Sequence, residues 1–200
     1  MLAIAVEAVA LLVFFLFQWE EAEVGAVAAA VEDFPVADFR EAEAVPGEEA
    51  RAEAGDMKTK NFISNLDEKK IVNAIAEAEK KTSGEIRVYI SDKNRDDALT
   101  AAKNRFEKLG MTKTKLRNGV LIYIAPVSQK FAIVGDSGIH QKCGEDFWKV
   151  ITDGMGNLFK EGRFTDALVQ AIGEVGAALA KHFPHQGDDS NELPNEILRD

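Results

Sequence analysis

Between Asp67 and Pro184 the apolar residues recur with two clean periods. After Asp67, a good N-cap, Ile71, Ala74, Ile75 and Ala78 fall at three- and four-residue intervals and predict an amphipathic helix. Thr82-Ser83-Gly84 should end it, with Gly84 as the left-handed terminator. Glu85 to Ile90 then alternates strictly, with Ile86, Val88 and Ile90 on one face of a strand. A polar loop from Ser91 to Asp97 leads into a second helix over about Asp96 to Leu109. Its inner face carries Leu99, Ala102, Phe106 and Leu109, and Gly110 ends it. Gly119 to Ala125 is nearly continuously apolar, as in a strand covered on both faces. Pro126 to Gln129 forms a turn, and Lys130 to Gly135 returns as an antiparallel partner.

Asp136-Ser137-Gly138 breaks that strand and opens a short helix through Ile139 to Lys142. Two longer helices follow. One spans about Asp146 to Glu161, with Phe147, Trp148, Ile151, Met155, Leu158 and Phe159 as candidate core. The other spans about Phe164 to His182, with Leu168, Ile172, Val175, Ala178 and Leu179 inward, Thr165 as a candidate N-cap, and Pro184 barring continuation. The order α-β-α-β-β-α-α predicts an α/β fold, a three-layer α/β/α sandwich around a small mixed sheet. The first two strands, joined through a helix, should be parallel.

Charge divides the chain differently from its apolar pattern. Residues 1–56 hold 13 acidic and two basic groups, a net of −11, whereas residues 57–200 hold 21 and 22, a net of +1. The acidity therefore belongs to the N-terminal segment. A near-neutral domain lacks the basic excess that phosphate-backbone binding requires, so nucleic acid is not an expected partner. Met1 to Phe17 is apolar apart from Glu7 and reaches the short limit for a membrane-spanning helix. A central glutamate costs about 2.5–3.5 kcal/mol on insertion, and no basic residue precedes the apolar run as a signal peptide would need. Residues 20–56, rich in Ala, Glu and Val, read as loosely ordered. Two accounts of residues 1–56 stand side by side. Either they extend upstream of a natural start at Met57, which leaves the domain cytoplasmic, or residues 1–17 anchor it to a membrane. The expected organisation is thus an extension over 1–56, a domain over 57–184, and a polar acidic tail over 185–200.

Thr82-Ser83-Gly84-Glu85-Ile86-Arg87-Val88, Asn118-Gly119-Val120-Leu121-Ile122 and the hairpin strand Phe131 to Asp136 together resemble the TPM domain family. So do Gly138-Ile139-His140, Phe147-Trp148, Gly162-Arg163-Phe164 and Asp188 to Pro194, and the similarity runs from residue 57 to about 196. The resemblance implies an α/β/α sandwich. The family includes thylakoid proteins of photosystem II repair, for which acid phosphatase activity has been proposed, and bacterial members reported to bind calcium. Many relatives carry an aromatic residue before the second glycine, where this hairpin ends Gly-Asp-Ser-Gly-Ile.

Candidate chemistry gathers at the ends of strands. Asp92, Asp96 and Asp97 follow the first strand and Asp136 follows the third. If their loops converge, they offer the hard-oxygen environment that Ca²⁺ or Mg²⁺ prefers; otherwise Asp96 or Asp97 caps the second helix and Asp136 makes a local turn. His140 and Cys143, three apart on one helical face, could touch a transition metal or act as a nucleophilic pair, but two ligands do not make a zinc site. Glu85 and Arg87 point the same way along the first strand, either toward a partner or on a solvated face. The single cysteine permits no intrachain disulfide. Without a complete catalytic constellation, the leading expectation is a binding or assembly module for an unidentified protein partner, with a divalent cation at the aspartate loops. A metal-assisted acid phosphatase-like hydrolase is the alternative that the resemblance implies.

Overall fold

Asp67 stops the chain ahead of the first long helix by accepting a hydrogen bond from Lys70 N (3.1 Å) on its side chain. The computed structural model describes residues 26–27, 58–95, 97–185 and 196–200. In chain order its elements are β1 (Ala26–Val27), α1 (58–64), α2 (Glu68–Glu79), β2 (Ile86–Ile90), α3 (Ala98–Lys108), a 3₁₀ turn (Met111–Lys113), β3 (Val120–Ala125) and β4 (Lys130–Asp136). Then follow α4 (Ser137–Cys143), α5 (Glu145–Lys160), α6 (Phe164–His182) and β5 (Leu198–Arg199).

The sheet order is β1-β4-β3-β2-β5. β2 and β3 run parallel, with Ile86 opposite Val120 and Ile90 opposite Ile124, as a helical crossover requires. β4 returns antiparallel to β3, pairing Ile124 with Phe131 and Val120 with Gly135. β5 lies parallel to β2 on its other side. Side-chain alternation splits the sheet into two faces. Ile86, Val88, Ile90, Val120, Ile122, Ile124, Phe131 and Ile133 pack on the layer of α1, α2, α5 and α6. Tyr89, Leu121, Tyr123, Ala125, Ala132 and Val134 pack beneath α3 and Met111. The fold is therefore α/β, with helices on both faces of a mixed sheet.

Three local expectations need correction. α2 ends at Glu79, not at Gly84, because Thr82 pairs with Pro184 and Ser83 N donates to Phe183 O (3.0 Å). Gly84 is required for closeness: a Cβ there would lie 2.6 Å from Leu179 Cδ2. Thr165 does not cap α6, since Arg163 holds the N-cap position; its hydroxyl instead accepts from Asp67 N (3.0 Å), joining the starts of α2 and α6. α1, with Phe62 fully buried, and the two-residue strands β1 and β5 are additions to the expected order. Among the described residues no helix is long and apolar enough to cross a membrane; residues 1–17 and their anchor expectation lie outside them.

Candidate functional site

The parallel strands β2 and β3 both end at one edge of the sheet, at Ile90 and Ala125, where open α/β sheets place ligands. Ser91 N donates to Ile124 O (2.8 Å) and carries the pairing one residue further. Arg95 N donates to Ser128 Oγ (3.1 Å), tying the β2–α3 loop to the hairpin turn. Beside β2, Leu198 stands opposite Tyr89 and Arg199 opposite Ile90, so Asp200 arrives level with Ser91.

Five donors meet the Asp200 side chain, which is 6% exposed. Ser91 Oγ donates at 2.5 Å, Arg105 Nη2 at 2.7 Å, Tyr89 Oη at 3.0 Å and Asp92 N at 3.1 Å, with Lys93 Nζ at 3.5 Å. Burial alone would raise the Asp200 carboxyl, but the bonds from Ser91, Tyr89 and Asp92 and the charge of Lys93 bring it down to about 2. Arg105 also lies 4.2 Å above the centre of the Tyr89 ring, and Tyr89 stacks on Tyr123 at 5.7 Å. Burial first, and then the bond to Asp200, push the Tyr89 phenol above its usual range. It stays a neutral donor. The result is a receptor for one carboxylate, walled by aromatic rings and charged by Arg105 of α3 and Lys93 of the β2–α3 loop.

The expected aspartate cluster divides. Asp92 sits at this edge, and burial followed by its proximity to Asp200 raises its carboxyl. Asp97 is the N-cap of α3, accepting from Thr100 N (2.9 Å). Asp96 lies outside the described residues. Asp136 is at the opposite end of the sheet, where its backbone N bonds Gly119 O, because the hairpin reverses the direction of β4. There it is fully buried against Arg117, whose Nε is 2.9 Å from both carboxylate oxygens. Asp136, with Asp92 and Asp97 at the far end, therefore cannot share a cation with them. A dedicated Ca²⁺ or Mg²⁺ cage draws six or more oxygens, several of them carboxylate. With the Asp200 oxygens already bonded by donors, two of them cationic, the described residues do not fit such a cage. Among them no group of three or more His, Cys, Asp or Glu side chains is gathered as for a metal ion.

Residues 57–178 match the TPM domain. The chain belongs to the TPM domain family. It is similar to the BA42 protein of the psychrophilic bacterium Bizionia argentinensis, solved by NMR. The two are 46% identical over 66% of this chain and 92% of that one, with a TM-score of 0.62. No curated protein matches the chain. The TPM match stops at residue 178, ahead of the strand that carries Asp200.

The other sequence candidates of this TPM domain lie away from this edge or beneath α3. Glu85 and Arg87 are not on a solvated face: they are 4% and 3% exposed. Burial lowers the Arg87 guanidinium, and the charges of Glu85, Glu79 and Glu196 offset only part of that at the amino end of β2. Glu79 also accepts from Ile86 N (2.9 Å), closing that part of the β2 edge. On α4, His140 Nδ1 accepts from Trp148 Nε1 (3.2 Å). Burial raises the Cys143 thiol, the reverse of an activated nucleophile. Tyr89, Ser91, Arg105 and Asp200 were not singled out by the sequence. One signal was there: Glu85, Arg87, Tyr89 and Ser91 alternate as the polar side of an otherwise apolar strand.

Proposed function

We propose that this TPM-domain protein is a binding and assembly module whose working edge is the carboxyl end of β2 and β3. One observation carries the reading: Tyr89, Ser91, Asp92 N, Lys93 and Arg105 converge on a single carboxylate. Charge-assisted bonds of this kind are short and directional, and they recognise acidic groups of a partner. The same groups are poorly disposed for hydrolysis. Ser91 donates to an aspartate without an intervening base, and His140 lies on α4, which follows β4 at the opposite end of the sheet.

The test compares the full chain with Arg105→Glu and with Arg163→Glu, a surface control whose partners are Glu161 and Asp166. A partner captured by the wild type and by Arg163→Glu, but lost with Arg105→Glu, is the expected result. A generic phosphomonoester is assayed in parallel at acid and neutral pH. Turnover abolished by Arg105→Glu or Ser91→Ala would replace the binding reading with a hydrolase.

A further inference from the structure

The way Asp200 is held identifies what kind of partner the edge accepts. β5 is two residues long, yet it pairs in register with β2, Leu198 against Tyr89 and Arg199 against Ile90. Leu198 packs against the cluster under α3, and Ile197 against the cluster on the other face. Alternate side chains of 197–200 thus enter opposite faces while Asp200 enters the carboxylate receptor. This is how an extended peptide adds to a sheet: backbone pairing supplies affinity and side-chain pockets supply selectivity. Nothing covalent ties the strand to β2. Its neighbour in the chain is the connection over 186–195, which leads back to α6.

We propose that the carboxyl half of the β2 edge binds, in trans, an extended acidic segment of a protein partner as a parallel strand, and that residues 196–200 occupy this place in cis. The inference rests on the binding-edge reading above and names its partner. The occupant's chemistry is read from the segment already seated. It has two consecutive apolar residues that straddle the sheet edge, a basic position paired with Glu68, and an aspartate facing Arg105, Lys93, Ser91 and Tyr89. Charge complementarity favours this occupant, since the receptor sets two cations and two hydroxyl donors against the single carboxyl of Asp92. The glutamate that binds Ile86 N limits the added strand to the upper half of β2. The cis segment acts as a competitor that belongs to the same chain and is always at hand. A partner must outmatch it, so the edge is selective for strong acidic strands and closed to weak ones.

The experiment uses the full chain, wild type and Asp200→Asn, with a labelled peptide of sequence 195–200 followed by anisotropy. Bonds to a charged group are worth enough that Asp200→Asn should bind the peptide about ten- to a hundredfold more tightly than wild type. A peptide ending in Asn should lose that gain, as should Asp200→Asn combined with Arg105→Glu. Equal binding of the Asp and Asn peptides, or none to Asp200→Asn at millimolar peptide, overturns the strand-addition proposal. Amide shifts on titrating Asp200→Asn with succinate separate the two levels. Succinate shifts at Ser91 and Asp92 without peptide binding would sink strand addition and keep the carboxylate edge. Silence to both would sink the edge as well.

Discussion

Asp136 and Asp200 each end a strand and each meet an arginine, but their surroundings give them different work. Asp136 is enclosed completely, holds Ser137 N at 2.7 Å, and fixes Arg117, whose backbone adopts a left-handed φ of 53°. Arg117→Ala leaves a buried carboxylate short of its cation and should lower stability by about 1–3 kcal/mol, measured by urea denaturation. Arg117→Lys should recover only part, because a lysine lacks the planar guanidinium. Asp200 holds a segment rather than a loop, and its carboxyl titrates near 2 in the folded chain against about 3.9 when free. A depressed carboxylate stabilises above its unfolded pKa and loses that contribution as pH falls through the folded one. Docking of 196–200 should therefore be complete above about pH 4 and weaken toward pH 2. Amide exchange at Leu198 and Arg199 across that window checks it; protection unchanged at pH 2 would show that Asp200 is not the anchor.

At the scale of elements, legibility followed length. β2, β3, β4, α3, α5 and α6 carry enough residues for a period to show, and the sequence places each within a residue or two. β5 has two residues and therefore no period, so nothing local marks Leu198 as a strand; only pairing with Tyr89 makes it one. The sequence misplaces the end of α2 because Gly84 has two uses, a left-handed turn and room for a neighbour. Leu179, almost a hundred residues away, decides between them. α1 was missed because a short helix with few apolar positions does not reveal what it packs on. Phe62 meets Phe164 at 5.0 Å and Phe159 edge-on at 6.4 Å, and Phe159 in turn meets Phe131 of the sheet at 5.1 Å. Phe62→Ala should cost about 3–5 kcal/mol, as for other buried aromatic truncations, read from the shift in denaturation midpoint. A loss below about 1 kcal/mol would mean that α1 is dispensable to the domain.

At the scale of the molecule, the alternation of strands and helices was sufficient to give the layers, because each face must find a cover. The site was not legible in the same way. Four aspartates near strand ends form one cluster only if their loops converge, and the hairpin turns β4 around and carries Asp136 to the far end of the sheet. The residues that do converge, Tyr89, Arg105 and Asp200, are brought together by strand pairing across a hundred positions. Their side chains are unremarkable one at a time. Only the topology makes them a receptor.

The ion pair between Arg199 and Glu68, with Nη2 and Oε1 2.5 Å apart, has a consequence for how the chain could be rewired. It sets the last described strand against the first turn of the first long helix, ten residues along the chain from the start of α1. Domains with adjoining ends tolerate new connections between them. A circular permutant that joins residue 200 to residue 58 through a flexible link, and opens at Gly144 between α4 and α5, gives up β1 but should keep the pairing of β4, β3, β2 and β5. Beyond its own neighbours Gly144 has no atom within 4 Å of where a side chain would begin, and a break there gives up the bond from its N to His140 O (2.9 Å). A permutant melting within a few degrees of the parent is the expected outcome; one that fails to fold would place the folding nucleus across the α4–α5 junction.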